Sequence, residues 1–140
     1  MVMKALAHAC ILSNDLDKTQ QFYCEALGLR HRFDFMRNGE RVGFYLEITP
    51  GQYLEVFHTT AQNQALGHQR LHHLCFEVED VQDTIAQLEH HGVPTRDLKM
   101  GADHSWQFWC SDPDGTDLES QQYTEHSTQH TGETVHLVIS

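Results

Sequence analysis

The sequence predicts an α+β chain made of two tandem β-α-β-β-β modules, and three observations carry that expectation. A strand-like run, a capped helical pattern and three more strand-like runs occur in the same order twice, over about residues 4–60 and 71–123. Overlaying His73 on His8 also overlays Cys75 on Cys10, Asp80 on Asp15, Val81 on Leu16 and Thr84 on Thr19. Leu54-Glu55, late in the first module, recurs as Leu118-Glu119 late in the second, one residue out of that step.

Residues 5–12 (ALAHACIL) read as a strand with Leu6, His8, Cys10 and Leu12 on one face. Ser13, Asn14 and Asp15 offer N-caps for a helix to about residue 27, with an apolar stripe of Leu16, Phe22, Tyr23, Ala26 and Leu27, stopped by Gly28. Strands follow at about 30–36, 42–48 and 53–58, joined by Asn38-Gly39 and Pro50-Gly51. Residues 61–70 are polar and aperiodic, which suits a linker. The pattern restarts with a strand over 71–78 and a helix capped by Asp80, carrying Val81, Ile85 and Leu88 and ending near Gly92. Strands near 95–99, 106–111 and 117–123 complete it, the last two linked by the tight-turn run Asp112-Pro113-Asp114-Gly115. Residues 124–140 form a tail, polar until Val135-His136-Leu137-Val138-Ile139; that apolar end can add a strand to this chain or a partner, or fray.

A chain of 140 residues suits one domain, 1–140. No stretch approaches the ~18 apolar residues of a membrane span, and no basic-then-apolar leader opens the chain, so no membrane partner is expected. The net charge of −11 repels phosphate backbones and excludes nucleic acid as a natural partner. Four cysteines without a C-x-x-C pair read as reduced thiols, which points to a cytoplasmic protein.

The run Tyr53-Leu54-Glu55-Val56-Phe57 holds the chemistry. Alternation turns Glu55 the same way as Tyr53 and Phe57, so a carboxylate stands in an otherwise apolar strand. One such residue is ordinarily a solvated face or half of an ion pair. Its recurrence as Glu119, each Glu trailing a strand-borne His at almost the same distance, makes His8, Glu55, His73 and Glu119 a candidate metal set. Two imidazoles and two carboxylates suit one divalent ion, Ni, Zn, Co, Mn or Fe, without choosing among them.

Taken together, these motifs resemble the vicinal oxygen chelate superfamily of glyoxalases, bleomycin-resistance proteins and extradiol dioxygenases over residues 5–123. The resemblance rests on His8, Asp15-Leu16, Phe22-Tyr23, Leu27-Gly28-Leu29, Leu54-Glu55, His73-Leu74-Cys75-Phe76, Glu79-Asp80-Val81, Asp112-Pro113-Asp114-Gly115 and Leu118-Glu119. It implies that the two modules form a cupped, partly open mixed β-barrel around one metal. The His, Glu, His, Glu set is similar to that of short, single-domain glyoxalase I, a lactoylglutathione lyase. Dioxygenases and thiol transferases of the family use two His and one Glu, and drug-binding members usually lack the ligands.

What the resemblance implies is a lyase or isomerase that moves a proton through a metal-stabilised enediolate on a small-molecule substrate with vicinal oxygens. Glu119 would be the main proton shuttle and Glu55 its pseudo-symmetric counterpart. A dioxygenase, a thiol transferase and a non-catalytic drug-binding protein are the alternatives. Members of this size often form homodimers with the site shared between copies, so a homodimer is expected. Tyr53, Phe57, Trp106, Phe108 and Tyr123 are candidates for a pocket wall, with core packing the alternative for each, and His104 is a loop residue that could touch substrate. Short glyoxalase I proteins carry an Arg four residues after the first His and an Asn four after the first Glu, both anchoring glutathione. Leu12 and Thr59 stand there, which calls glutathione as co-substrate into question.

Overall fold

The computed structural model describes residues 6–61 and 71–137 and divides the chain into two compact units, Met1–Arg70 and Leu71–Ser140. Most of the expected linker, residues 62–70, lies outside the described residues, as do residues 138–140 of the tail.

The first unit contains β1 (His8–Ser13), α1 (Leu16–Gln21), β2 (Arg30–Arg37), β3 (Glu40–Thr49) and β4 (Gln52–His58). Its sheet has the order β1-β4-β3-β2, with β1 parallel to β4 and the other pairs antiparallel. Asp15 caps α1, accepting from Lys18 N at 3.0 Å. The helix was expected to run regularly to residue 27, but after Gln21 it widens into a π-helical stretch, Phe22–Ala26. The wider turn lets the adjacent rings of Phe22 and Tyr23 both reach the core, along with Ala26. Gly28 then adopts φ +77°, the left-handed conformation that ends the helix. Phe44, Leu46, Leu54 and Val56 complete the buried face. Beneath them the buried hydroxyls of Ser13 and Thr19 satisfy one another at 2.6 Å.

The second unit repeats the plan with β5 (Leu74–Glu77), α2 (Val81–His90), β6 (Arg96–Met100), β7 (Trp106–Ser111) and β8 (Asp117–Gln122), sheet order β5-β8-β7-β6. The chain is therefore α+β, two β-α-β-β-β modules in tandem. Asp80 caps α2 as Asp15 caps α1, accepting from Asp83 N at 2.9 Å. Val81 and Leu88 pack with Phe108, Cys110 and Leu118 as the core of this unit. The first strand is shorter than expected, so His73 lies just ahead of β5 rather than within it.

The described part of the tail forms no strand. Residues 124–127 turn into a short helix, α3 (Thr128–Thr131), tied to the loop before β7. Ser127 Oγ lies 2.7 Å from Ser105 Oγ, both residues buried, and Thr128 N donates to Asp103 O at 3.0 Å.

Candidate metal centre

Each sheet has a buried face under its helix and a more open face, and the predicted ligands stand on the open ones. In the first unit Leu54 and Val56 are buried while Tyr53, Glu55 and Phe57 alternate away from them. Parallel pairing sets Cys10 opposite Glu55 and His8 opposite Tyr53. His8 Nε2 lies 3.7 Å from Glu55 Oε1, the side chains being 38% and 18% exposed. The second unit reproduces the arrangement: Cys75 is opposite Glu119, and His73 Nε2 lies 4.0 Å from Glu119 Oε1, with side-chain exposures of 33% and 13%. The enclosed carboxylate beside a more open imidazole is thus built twice, each His two residues before the Cys that stands opposite the Glu.

Two donors sharing one ion at about 2.1 Å each sit roughly 3.0–3.5 Å apart, so small side-chain rotations would let either pair chelate. The donor chemistry of each pair fits a divalent ion. Among the described residues no group of three or more His, Cys, Asp or Glu that could hold a metal ion is assembled. Each unit therefore brings together two such donors.

The residues around each pair hold it in position. Tyr45 faces Glu55 across the β3–β4 ladder, and its Oη reaches His8 Nδ1 at 3.0 Å. Trp109 faces Glu119 across β7–β8, and its ring meets the His73 imidazole edge-on at 4.8 Å. Nδ1 of His73 also lies 2.8 Å from Nδ1 of His72. In both imidazoles the contact is made through Nδ1, which directs Nε2 towards the carboxylate. Partial burial and then the Glu55 carboxylate push the Cys10 thiol up to about 11. Burial and a hydrogen bond to Glu119 push that of Cys75 up to about 12. Both thiols are therefore protonated at neutral pH rather than thiolate nucleophiles, Cys10 Sγ donating to Ile11 O at 3.8 Å and Cys75 Sγ to Phe76 O at 3.9 Å.

The candidate wall residues divide between faces. Tyr53 and Phe57 stand beside Glu55; Tyr53 lies 5.1 Å from the Tyr45 ring and Phe57 stacks on Phe35 at 4.7 Å. Tyr123 lies just past β8, its pKa raised by burial and then by Glu77, Cys75, Asp103 and Glu119. Phe108 and Trp106 do not belong there. Phe108 pairs with Ser120, is fully buried and faces the core, while Trp106 stands two residues away on the same face. His104 is an exposed loop residue with φ +62°, its carbonyl accepting from Thr124 Oγ1 at 2.7 Å and Ser127 Oγ at 3.0 Å.

Tyr45, Trp109 and His72 were missed as site residues. The regular β7–β8 hairpin pairs Ser111 with Asp117 and therefore Trp109 with Glu119, so alternation from the Asp112–Gly115 turn was enough to find Trp109. Tyr45 could not be found that way, because an irregularity between Glu47 and Thr49 shifts the β3–β4 register.

The chain matches the family model described as Glyoxalase/Bleomycin resistance protein/Dioxygenase superfamily over residues 5–120. It is similar to a glyoxalase family protein from Enterococcus faecalis, 28% identical, covering 87% of this chain and 100% of that one with a TM-score of 0.72. The fold also recurs in TnmS3, an antibiotic binding protein from Streptomyces sp. CB03234, at 21% identity, 89% and 99% coverage and a TM-score of 0.73. A lactoylglutathione lyase from Agrobacterium tumefaciens shares it at 20% identity, 87% and 96% coverage and a TM-score of 0.66.

Proposed function

The chain belongs to the glyoxalase/bleomycin resistance protein/dioxygenase superfamily, and we propose that within it the protein is a metal-dependent lyase or isomerase of glyoxalase I type. The observation that carries this reading is the duplicated pair: His8 with Glu55 and His73 with Glu119, each imidazole contacted through Nδ1 and each carboxylate more enclosed than its imidazole. His8, Glu55, His73 and Glu119 would together hold one divalent ion, Ni, Zn, Co, Mn or Fe, drawn from one chain or from two copies. When bound, the ion supplies Lewis-acid polarisation of a substrate's vicinal oxygens, which acidifies the neighbouring C–H.

The protein's own part is proton transfer. A carboxylate on a partly desolvated face competes with little water for a substrate proton, and Glu119, the more enclosed of the two, is assigned the role of base. It takes the proton from one carbon and returns it to the next. Glu55 stands in the equivalent position for the opposite face or stereoisomer of the substrate.

Protein purified without chelator should carry a divalent ion measurable by mass spectrometry. It should also catalyse deuterium uptake at the carbon beside the carbonyl of a methylglyoxal hemithioacetal, and Glu119→Gln should lose that exchange. Failure to bind any of the five ions when they are supplied removes the reading. A second reading, sequestration of a flat apolar compound, is favoured by one observation: Phe33, 46% exposed, stacks on Tyr45 at 4.7 Å beside the first pair. Binding of such a compound that survives chelation would select it.

A further inference from the structure

We propose that Arg30 and Arg32 form a receptor for a carboxylate carried by the substrate, at the far end of the face that holds His8 and Glu55. The proposal rests on the function proposed above and adds the charge of the substrate to it.

The backbone creates the receptor. In β2, Arg30 pairs with Glu47, His31 with Leu46 and Phe33 with Tyr45, so Arg32 is an extra residue in a bulge. Without that bulge, alternation would turn either Arg32 or Phe33 towards the core. With it, Phe33 stacks on Tyr45 while Arg32 Nη1 reaches Glu47 Oε2 at 3.6 Å. Arg30 Nη1 lies 3.6 Å from Glu47 Oε1. Two guanidinium groups thus meet one carboxylate, each addressing a different oxygen, which leaves one unit of positive charge over.

The exposures show which way the group is turned. The Glu47 side chain is 12% exposed, whereas those of Arg30 and Arg32 are 75% and 47% exposed. The carboxylate is the anchor and the guanidiniums are presented to solvent. At 3.6 Å both contacts exceed the roughly 2.7–2.9 Å of a charge-assisted hydrogen bond, so Glu47 leaves the forks able to bind an incoming anion. The chain as a whole is negative, at −11. That field is screened over about 10 Å, so within a few ångströms the Arg pair decides which group is attracted.

Its position suits a substrate anchored at both ends. Glu47 is opposite Tyr53, and Tyr45, two residues along β3 or about 7 Å, is opposite Glu55. The Tyr45 and Tyr53 rings lie between, 5.1 Å apart. A molecule reacting at Glu55 and lying flat on the two tyrosines would bring a carboxylate at its other end to Arg30 and Arg32. Leu12 and Thr59 offer no cation for that purpose.

The test uses two probes and protein loaded with a divalent ion: benzohydroxamate, a chelator without a carboxylate, and 4-carboxybenzohydroxamate, which chelates in the same way and adds one carboxylate at the far end of the ring. Calorimetry should find the carboxylated probe about ten-fold tighter, since one or two exposed charge-assisted hydrogen bonds are at stake. R30Q/R32Q should erase that preference without weakening benzohydroxamate. The triple variant R30Q/R32Q/E47Q, which leaves no uncompensated Glu47, should do the same and guards against misfolding of the double variant. E47Q alone should widen the preference, because the competing carboxylate is gone; a purely structural ion trio predicts no such gain. Equal affinity of the two probes for the unmodified protein, no binding of the carboxylated probe, or a preference that survives R30Q/R32Q overturns the proposal. Repeating the titrations after chelation separates the two readings: metal-independent benzohydroxamate binding counts against the metal centre, whereas the carboxylate preference reports the Arg pair alone.

Discussion

Tyr45 spans β4 to contact His8, its Oη lying 3.0 Å from Nδ1 and its ring meeting the imidazole edge-on. Either partner can donate in such a contact. If the phenol donates, the neutral imidazole carries its proton on Nε2 and cannot ligate; if Nδ1–H donates, Nε2 presents a lone pair beside Glu55. Burial, Glu55 and Tyr53 raise the Tyr45 pKa, so the phenol stays protonated and can accept at neutral pH. Ligation of the proposed metal by His8 would therefore select the tautomer in which Nδ1–H donates. Tyr45→Phe should leave the fold intact and weaken metal binding about 10- to 100-fold, as measured by competition against a chromogenic chelator. Unchanged affinity would show that Tyr45 has no such role.

Replacing any one of His8, Glu55, His73 or Glu119 by Ala should lower bound metal far more than the exposed control His126→Ala. His72 is not an indifferent control. Strand alternation alone would turn it away from the site, but its Nδ1 lies 2.8 Å from that of His73, so His72→Ala should weaken metal binding by less than His73→Ala and by more than His126→Ala. Removing the ion by chelation should lower Tm, since a ligand at a hundred times its Kd that binds only the folded chain adds about 2.7 kcal/mol. An unchanged Tm with verified loss of metal would contradict a site formed on folding.

How far the site could be read beforehand depended on register. The two-module order was legible because Asp15 and Asp80 cap helices at matching positions and Gly28 and Gly92, both at positive φ, end them. Glu55 and Glu119 were legible because alternation along one strand needs no knowledge of the next. Phe108 was left open between pocket wall and core because it was weighed as an aromatic near the site; its pairing with Ser120 and its full burial place it in the core. Arg32 and Tyr45 depend on irregularities in β2 and β3, and a single extra residue reverses every facing beyond it. The π-helical stretch at Phe22–Ala26 was hidden for a similar reason: adjacent apolar residues fit a regular helix only loosely, and the widened turn that accommodates both leaves no periodic mark.

Asp34 gives a test of stability against pH. Its carboxylate accepts from His31 Nε2 at 2.7 Å and from Arg41 Nη1 at 3.2 Å. The His31 hydrogen bond, opposed by burial and reinforced by Arg41, holds its pKa below the ordinary value of 3.8. A carboxyl depressed on folding contributes stability above its unfolded pKa, and that contribution fades as pH falls through the folded value. Asp34→Asn should therefore be slightly less stable than the unmodified protein at pH 7, the two urea midpoints converging below about pH 3.8. A gap that is constant from pH 7 to pH 3 would assign the difference to packing instead.

The four proposed ligands would come either from one chain or from two. An inactive His8→Ala chain mixed with an inactive Glu119→Gln chain discriminates between these routes. If His8 and Glu55 of one copy join His73 and Glu119 of another, mixed dimers contain one intact site, and exchange activity should return in proportion to their abundance. No recovery after subunit exchange verified by mass spectrometry would assign the site to a single chain.

Leu12 and Thr59 make the last prediction. Leu12 follows His8 and Cys10 on the open face of β1, opposite Phe57 and 38% exposed, and Thr59 N is committed to Ser13 O at 2.8 Å. Glutathione carries two carboxylates, and each charge-assisted hydrogen bond to one contributes roughly 1.5–3 kcal/mol. With neither an Arg nor an Asn at these positions, capture of the methylglyoxal–glutathione hemithioacetal should be weaker by about 10²-fold or more. The protein should bind a divalent ion yet form the thioester product slowly, as followed by its absorbance at matched metal loading. Leu12→Arg with Thr59→Asn should raise kcat/KM, whereas Leu12→Met with Thr59→Val, similar in size but uncharged, should not. Efficient turnover by the unmodified protein would mean that other cations already hold the tripeptide, and loss of that turnover in R30Q/R32Q would name them.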